Sequence, residues 1–183
     1  MHPSAYETGK QFIQRFLPCD SVVLEVGSYN VNGTLRDFCP PDCRWIGIDH
    51  EPGPGVDKVF QGLTLPFENA SVDVVVSTSC LEHDRFFWNT FTEMARVCRP
   101  GGYIYINAPS NGAVHRYPVD CWRFYPDAAQ ALADWSEHCG YPIKVVETEV
   151  KKKPMRAPRS SIFSIRSRTD GWLDFHAIYQ RAA

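Results

Sequence analysis

Short apolar runs alternate with amphipathic stretches along the 183-residue chain. Four of the runs are apolar almost throughout and contain β-branched or aromatic residues, a pattern typical of strands covered on both faces. A shorter strand is predicted between the second and the third of them. In chain order, the predicted strands are 21–26, 44–48, 56–60, 72–77 and 103–108.

The intervening stretches carry apolar residues at helical spacing, and two final segments alternate as paired, half-buried strands do. The predicted helices are 5–17, 34–38, 84–98 and 126–139, and the final strands are 143–150 and 174–181. Strands that alternate with helices predict an α/β fold, with a mostly parallel seven-stranded sheet and helices on both faces. We expect a single domain over 1–183, with an N-terminal helix in 1–18 and a basic connector at 151–170.

The order of the predicted strands also indicates where a ligand would bind. In an open parallel sheet, ligands lie beyond the carboxyl ends of the strands. That rule brings five segments to one edge: 25–33, 49–51, 61–63, 77–80 and the residues that follow 108. The polar side chains of these segments are therefore the candidates for binding and chemistry.

Composition removes several alternatives. The formal net charge is −2 and 22% of the residues are charged, so the chain as a whole has no field that attracts nucleic acid or membranes. The seven cysteines form no C-x-x-C pair, which favours reduced thiols in a cytoplasmic protein and no metal site. The first residues lack the apolar run of a signal peptide, and no segment has the length of a membrane span.

The loop after the first strand, within "VLEVGSYNVNGTL", contains an acid and two glycines: Glu25, Gly27 and Gly33. Glycines permit a tight turn and a close approach of backbone to ligand, although an ordinary strand–helix turn has the same composition. A carboxylate in the turn disfavours a pyrophosphate and favours an ammonium group. Asp49 ends the second strand, from which an acid reaches ribose hydroxyls. A pocket for ribose and a positive group, without phosphate, fits S-adenosylmethionine.

Four stretches in this order carry a family resemblance: "VLEVGSYNVNG", "WIGIDHEPGPGVD", "LPFENASVDVVVSTSCLEHD" and "MARVCRPGGYIYINAPS". With them the chain resembles the class I S-adenosylmethionine-dependent methyltransferases, of the small type similar to the methyltransferase domain 11 group. The resemblance covers roughly residues 20–140. It implies a Rossmann-like fold and S-adenosyl-L-methionine as the cofactor, and it says little about the acceptor of the methyl group.

The resemblance assigns cofactor roles position by position. Glu25, Gly27, Ser28 and Gly33 would hold the methionine moiety, and Asp49 would bind the ribose. The adenine would lie against a second set of residues, which is His50, Gln61, Gly62 and Leu63, and the methyl group against Ser79 and Cys80. Family members often have a full helix after the ribose acid, whereas this chain has a Pro/Gly turn, so we expect the adenine side to be more open.

Methyl transfer needs the acceptor atom placed opposite the departing sulfur, and a hydroxyl acceptor also needs a base. Candidates lie in "LEHDR", at 81–85, and in "SNGAVHRYPVDCWRF", at 110–124. We predict His115 as the base, His83 as a second candidate, and Asp120 as the group that orients the base or the acceptor. The predicted acceptor-binding side chains are Tyr117, Trp122 and Arg123.

Structural alternatives remain open for the same residues. Trp122 could pin its loop to the next helix, Arg123 could pair with Asp120 or Glu82, and His83 could cap the helix predicted to start near Asp84. The aromatic, acidic and cationic mixture of 115–123 suits a polyhydroxylated acceptor. We therefore expect O-methylation of a sugar, a glycan or a related small molecule.

Residues 151–168 contain seven basic residues and no acid. The segment is either a connector between the last two strands or a site for an anionic acceptor, so an RNA methyltransferase is an alternative function. A non-catalytic protein that keeps the fold, for cofactor binding or as a scaffold, is another. The expected partner is a small-molecule or glycan acceptor, and the sequence does not predict the oligomeric state.

Overall fold

A computed structural model describes residues 3–152 and 173–183. Ten elements and one short 3₁₀ helix, Leu35–Phe38, follow one another along this part of the chain. The helices are α1 (Pro3–Phe16), α2 (Phe87–Val97) and α3 (Ala128–His138). The strands are β1 (Val22–Val26), β2 (Arg44–Asp49), β3 (Lys58–Val59), β4 (Val72–Thr78), β5 (Cys98–Pro109), β6 (Ile143–Lys152) and β7 (Leu173–Arg181).

The seven strands form one sheet in the order β3-β2-β1-β4-β5-β7-β6. The first five strands pair in parallel, and β7 runs antiparallel to both of its neighbours, β5 and β6. This confirms the predicted fold class. The strand order reverses between β1 and β4, and a ligand crevice opens at such a reversal, at the carboxyl ends of the strands.

Alternate residues of the central strands pack into two separate hydrophobic cores, one on each face of the sheet. In β1 and β4, Val23 and Val76 face the side covered by α1 and the 3₁₀ helix, where Phe12 of α1 stacks on Tyr105 with ring centroids 4.8 Å apart. Leu24 and its neighbours face the other side, among the apolar residues of α2 and α3. Helices therefore cover both faces, which is why the central strands are apolar on both sides.

Two element boundaries differ from the prediction by more than two residues. Helix α2 begins at Phe87, not at 84, because the Asp84 carboxylate accepts hydrogen bonds from the Phe86 N–H (2.8 Å) and from the Thr90 hydroxyl. Asp84 thereby satisfies groups around the first turn from outside the helix, as capping side chains do. Strand β5 begins at Cys98, directly after α2, and so includes the "RPGG" segment, where Gly101 has φ +79°.

The basic segment has only its first two residues within the described part, at the end of β6. Its other residues lie in 153–172, outside the described residues, so the prediction of a connector or an anion site stays a prediction. Within 3–152 and 173–183, none of the helices combines the length and the apolar character needed to cross a bilayer.

Candidate active site

The turn after β1 brings the backbone of Gly27 against the side chain of Cys80, which follows β4. Gly27 has φ +80°, and a Cβ added there would lie 2.4 Å from the Cys80 sulfur. The Gly27 N–H donates to the Ile48 carbonyl (3.0 Å), which fixes the turn to β2. Both the backbone conformation and the close packing therefore require glycine at this position.

Glu25 is the second-to-last residue of β1, and its buried side chain accepts hydrogen bonds inside the fold. The Trp45 indole N–H donates to its Oε2 (2.8 Å), and the Thr34 hydroxyl lies at 3.5 Å. Burial raises the pKa of Glu25 to about 7, against the opposing effects of Trp45, Arg36 and Thr34. The negative charge is therefore only partly developed near neutral pH, and a cationic group at the site would favour the ionised form.

Asp49 is held by the backbone at the end of β2. Its carboxylate accepts from the N–H of Tyr29 (3.0 Å) and from the N–H of His50 (2.7 Å). A carboxylate has about four acceptor positions, so two remain for a pair of ribose hydroxyls. The predicted ribose role of Asp49 is thus chemically available.

The predicted adenine-side residues form a chain of contacts next to Asp49. The His50 Nδ1–H donates to the Phe60 carbonyl (2.9 Å), and the Gln61 amide nitrogen donates to the His50 carbonyl (3.3 Å). Gln61 uses its nitrogen in this bond and not its oxygen, in keeping with the predicted acceptor role. Gly62 and Leu63 are exposed beside it.

The Pro/Gly turn covers the glycine loop, and the expectation of a more open adenine side stays a prediction. A Cβ on Gly53 would meet the Tyr29 ring at 2.3 Å, and one on Gly55 would meet the Ser28 carbonyl at 2.6 Å. The Asn30 N–H donates to the Pro54 carbonyl (2.8 Å). The turn therefore packs directly against the loop.

Two loop residues complete the cofactor side. Ser28 is buried, and its hydroxyl has no hydrogen-bond partner within the described residues. Gly33 has φ +122°, and its N–H donates to the Asn30 side-chain oxygen (2.8 Å). An orphaned buried hydroxyl in this loop is free to bind a polar ligand group, such as one at the methionine end of S-adenosylmethionine.

The chain leaves β4 in a strained turn. Ser79 has φ +51°, a conformation uncommon for residues other than glycine, and its N–H donates to the Asn107 carbonyl (2.9 Å). Burial raises the pKa of the Cys80 thiol well above its ordinary range, so Cys80 has no nucleophilic thiolate. The His83 N–H donates to the Cys80 carbonyl (2.9 Å), so one tight turn connects His83 to the cysteine that packs on Gly27.

Both predicted histidines meet a buried acid in this region. The rings of His83 and His115 lie edge to face with centroids 5.0 Å apart, and the His83 Nδ1–H donates to the Val119 carbonyl (2.5 Å). Burial lowers the pKa of His83 and raises the pKa of the neighbouring Glu82 to about 8. His83 does not cap α2, because its ring contacts the 115–123 loop instead. The sequence analysis named Glu82 only within the candidate stretch "LEHDR" and as a possible partner of Arg123, and it did not predict that this acid is buried.

Asp120 and Arg123 form an ion pair inside the 110–124 loop. The Arg123 guanidinium donates to both carboxylate oxygens of Asp120 (2.5 and 2.7 Å), and this holds the pKa of Asp120 well below its usual range. The His115 backbone N–H also donates to Asp120 (2.7 Å). Asp120 thus positions the segment that carries His115, and of the two pairings left open for Arg123 the structure shows the one with Asp120.

The two predicted aromatic residues lie in different surroundings. The Tyr117 ring is exposed, with its centroid 6.4 Å from that of His83. The Trp122 ring packs on Phe87 (5.2 Å), and its N–H donates to the Asp84 carbonyl (2.7 Å). Trp122 therefore pins the loop to α2, where it also lines an apolar groove of about 500 Å³ between α2 and α3.

The Asp120–Arg123 pair leads to a stability prediction. We expect Asp120→Asn to lower the free energy of unfolding by about 3 kcal/mol, because the substitution leaves the guanidinium without its counter-charge beside a buried amide. Thermal unfolding measures the loss. The matched control is Asp134→Asn, an exposed carboxylate on α3 that bonds to Gln130. Equal stability of the two variants would contradict a positioning role for Asp120.

The open sheet has one antiparallel strand, and the glycine turn that follows Glu25 lies at the reversal of the strand order, where doubly wound sheets bind ligands. Residues 48–106 match the sequence model of the methyltransferase domain family. An uncharacterized methyltransferase of Mycobacterium marinum is 32% identical over 110 residues, which are 57% of this chain and 41% of the relative. One from Mycobacterium tuberculosis is 32% identical over 124 residues, 58% of this chain and 47% of the relative.

Solved structures show the same fold. An S-adenosylmethionine-dependent methyltransferase from Methanosarcina mazei superposes with a TM-score of 0.65 at 17% identity, over 100% of this chain and 98% of the other. The 1,6-didemethyltoxoflavin-N1-methyltransferase of Burkholderia thailandensis, solved with S-adenosylhomocysteine, superposes with a TM-score of 0.67 at 14% identity. The superposition covers 98% of this chain and 79% of the other. The chain therefore has the fold of the S-adenosylmethionine-dependent methyltransferases. The chain spans less than half the length of the curated relatives it matches.

Proposed function

We propose that this chain binds S-adenosylmethionine and transfers its methyl group to a hydroxyl of a sugar, a glycan or a related small molecule. One observation carries the proposal that the chain binds this cofactor: the buried Glu25 and the orphaned Ser28 hydroxyl flank Gly27, a position that no larger residue fits. The family match and the methyltransferase neighbours of the same fold support it.

The residues of the turn would bind and orient the cofactor. Glu25 and Ser28 would hold its ammonium and carboxylate ends, and Asp49 its ribose. When bound, the cofactor would supply a sulfonium methyl group for transfer to the acceptor oxygen. Gly27 and Cys80 close the floor of the turn and leave no room for water between them.

The histidines supply the argument for a hydroxyl acceptor. An alcohol must lose its proton as it is methylated, whereas a thiolate or a neutral amine can attack without a base. His115 would take that proton, with its backbone held by Asp120 and its ring edge to face with His83. Tyr117, exposed beside His83, is the aromatic surface on which a sugar ring would stack.

A transfer assay with methyl-labelled cofactor tests this proposal. We expect label in at least one member of a panel of glycans, nucleotide sugars and small polyols. His115→Ala should lower the transfer rate by 10²–10⁴-fold, the usual contribution of a general base, with cofactor affinity unchanged. His138→Ala, on the exposed last turn of α3, is the matched control. A His115→Ala rate equal to that of the control would show that the base assignment is wrong.

The same assay separates the alternatives. Transfer to RNA, with a steep loss of RNA affinity between low and moderate salt, would favour the nucleic-acid function of the 151–168 segment. Cofactor binding without transfer to any acceptor class would favour a non-catalytic protein.

A further inference from the structure

Glu82, His83 and His115 bring metal-ligating atoms together at the edge of the sheet that carries the candidate cofactor site. One ligand atom of each lies within 4.8 Å of those of the other two. The Nε2 of His83 is 3.7 Å from Oε1 of Glu82. Two of the residues follow β4 and the third follows β5, so only the fold unites them. Two histidines and one carboxylate form the donor set of many catalytic zinc sites.

The Glu82 carboxylate is the independent observation that points to a ligand. Its side chain is 1% exposed, and Oε2 has no hydrogen-bond partner in the part of the chain that the structure describes. The other oxygen, Oε1, lies 3.7 Å from Nε2 of His83. A buried carboxylate oxygen without a partner costs free energy, and a cation bound to it would remove that cost.

The surroundings of the two histidines resemble the outer shell of a metal site. The His83 Nδ1–H donates to the Val119 carbonyl, which fixes the tautomer that keeps a lone pair on Nε2. The Nδ1 of His115 lies 3.4 Å from an oxygen of Asp120, whose side chain is 1% exposed. Carbonyl and carboxylate partners of this kind orient imidazoles towards metals and raise their basicity.

We propose that Glu82, His83 and His115 bind a divalent cation, with zinc as the best match to two imidazoles and one carboxylate. Donor atoms around a tetrahedral zinc lie about 3.4 Å apart when each bond is about 2.1 Å. The three side chains therefore close by about 1 Å on binding, and His115 has room to do so because 40% of its side chain is exposed. Three protein ligands leave a fourth position open.

The consequence for the reaction rests on the proposed function. An acceptor hydroxyl at the open position would lose its proton to water more readily, because a bound cation lowers the pKa of the oxygen it coordinates. His115 would then act as a ligand and not as the base. The sequence analysis, which considered only the cysteines, predicted no metal, and it could not foresee that this site assembles from two separate loops.

Zinc binding to the full chain tests the proposal without any methyl acceptor. After chelator treatment and dialysis, we expect calorimetry to show one zinc per chain. Glu82→Gln and His115→Ala should each weaken zinc affinity at least about tenfold, whereas His138→Ala should leave it unchanged. Cobalt substitution reports on the ligands, because nitrogen and oxygen donors give ligand-field bands without thiolate charge transfer. Far-UV circular dichroism establishes whether both variants fold. If Glu82→Gln does not fold, the zinc affinity of His115→Ala alone decides the test.

Three results would overturn the cation site: no stoichiometric zinc, unchanged affinity in a folded His115→Ala, or a thiolate charge-transfer band that assigns the metal to cysteines. S-adenosylmethionine affinity of the chelator-treated protein is measured separately. If the protein binds cofactor but not zinc, the cation site is wrong and the proposed function stands. If it binds zinc but not cofactor, the proposed function is wrong and the cation site stands.

Discussion

Gly27→Ala should abolish most cofactor affinity, with a loss of about hundredfold. The added Cβ would lie 2.4 Å from the Cys80 sulfur, so either the turn or the strand-end cysteine must shift. Overpacking of this kind costs about 1–3 kcal/mol, and about 2.7 kcal/mol corresponds to hundredfold in affinity. The left-handed backbone adds a further cost of about 1–2 kcal/mol to folding. Calorimetry with S-adenosylhomocysteine and thermal unfolding measure the two effects.

Gly101→Ala is a closely matched control for this experiment. Gly101 has φ +79°, against +80° for Gly27, but a Cβ added there would meet nothing within 4 Å. It therefore carries the same backbone strain without the clash, at the start of β5 and away from the candidate cofactor residues. We expect Gly101→Ala to lose stability and to keep cofactor affinity. Equal cofactor affinity in the two variants would contradict the placement of the cofactor at the Gly27 turn.

Glu25→Gln should weaken S-adenosylmethionine by about 10- to 100-fold, the contribution of a hydrogen bond to a charged group. The same substitution should not destabilise the ligand-free protein at pH 8. Burial raises the folded-state pKa of Glu25 to about 7 from the ordinary 4.5, so ionisation costs stability as the pH rises between these values. Below pH 4.5 the cost is absent, and above pH 7 it is on the order of 3 kcal/mol. The variant carries no such cost.

The pH dependence of cofactor affinity follows from the same shift. Binding of an ammonium needs ionised Glu25, so the affinity of the wild-type protein should fall as the pH drops below 7, by up to about tenfold per unit. It should also fall above about pH 8, where an α-amino group loses its proton. Glu25→Gln should remove the acidic limb, whereas Glu137→Gln, an exposed carboxylate near the end of α3, should keep it. An acidic limb that persists in Glu25→Gln would assign the titration to another group.

The fold could be predicted from the sequence because the central strands are buried on both faces. Such strands are continuous apolar runs, and their order along the chain determines which loops share an edge. The candidate cofactor residues follow from that order, since Glu25 is the second-to-last residue of β1 and Asp49 is the last residue of the neighbouring β2. The late start of α2 could not be predicted, because it depends on how the Asp84 side chain folds back onto the first turn.

The candidate catalytic residues were harder to predict because they meet only in three dimensions. The sequence was compatible with either an acceptor-binding role or an ion pair for Arg123. Only the folded loop shows that two guanidinium nitrogens of Arg123 donate to the Asp120 carboxylate. The sequence indicated Glu82 only as a member of a candidate stretch and as a possible partner of Arg123. Its burial and its orphaned oxygen result from the loop that contains His115 folding over the end of β4.

Calorimetric titration of the full chain with S-adenosylmethionine and S-adenosylhomocysteine tests the central claim most directly. The wild-type protein and Gly101→Ala should bind both compounds at one site per chain, and Gly27→Ala should bind them about a hundredfold more weakly. A wild-type protein that binds neither compound would contradict the assignment of the Glu25–Gly33 turn as a cofactor site, and with it the proposed methyl transfer.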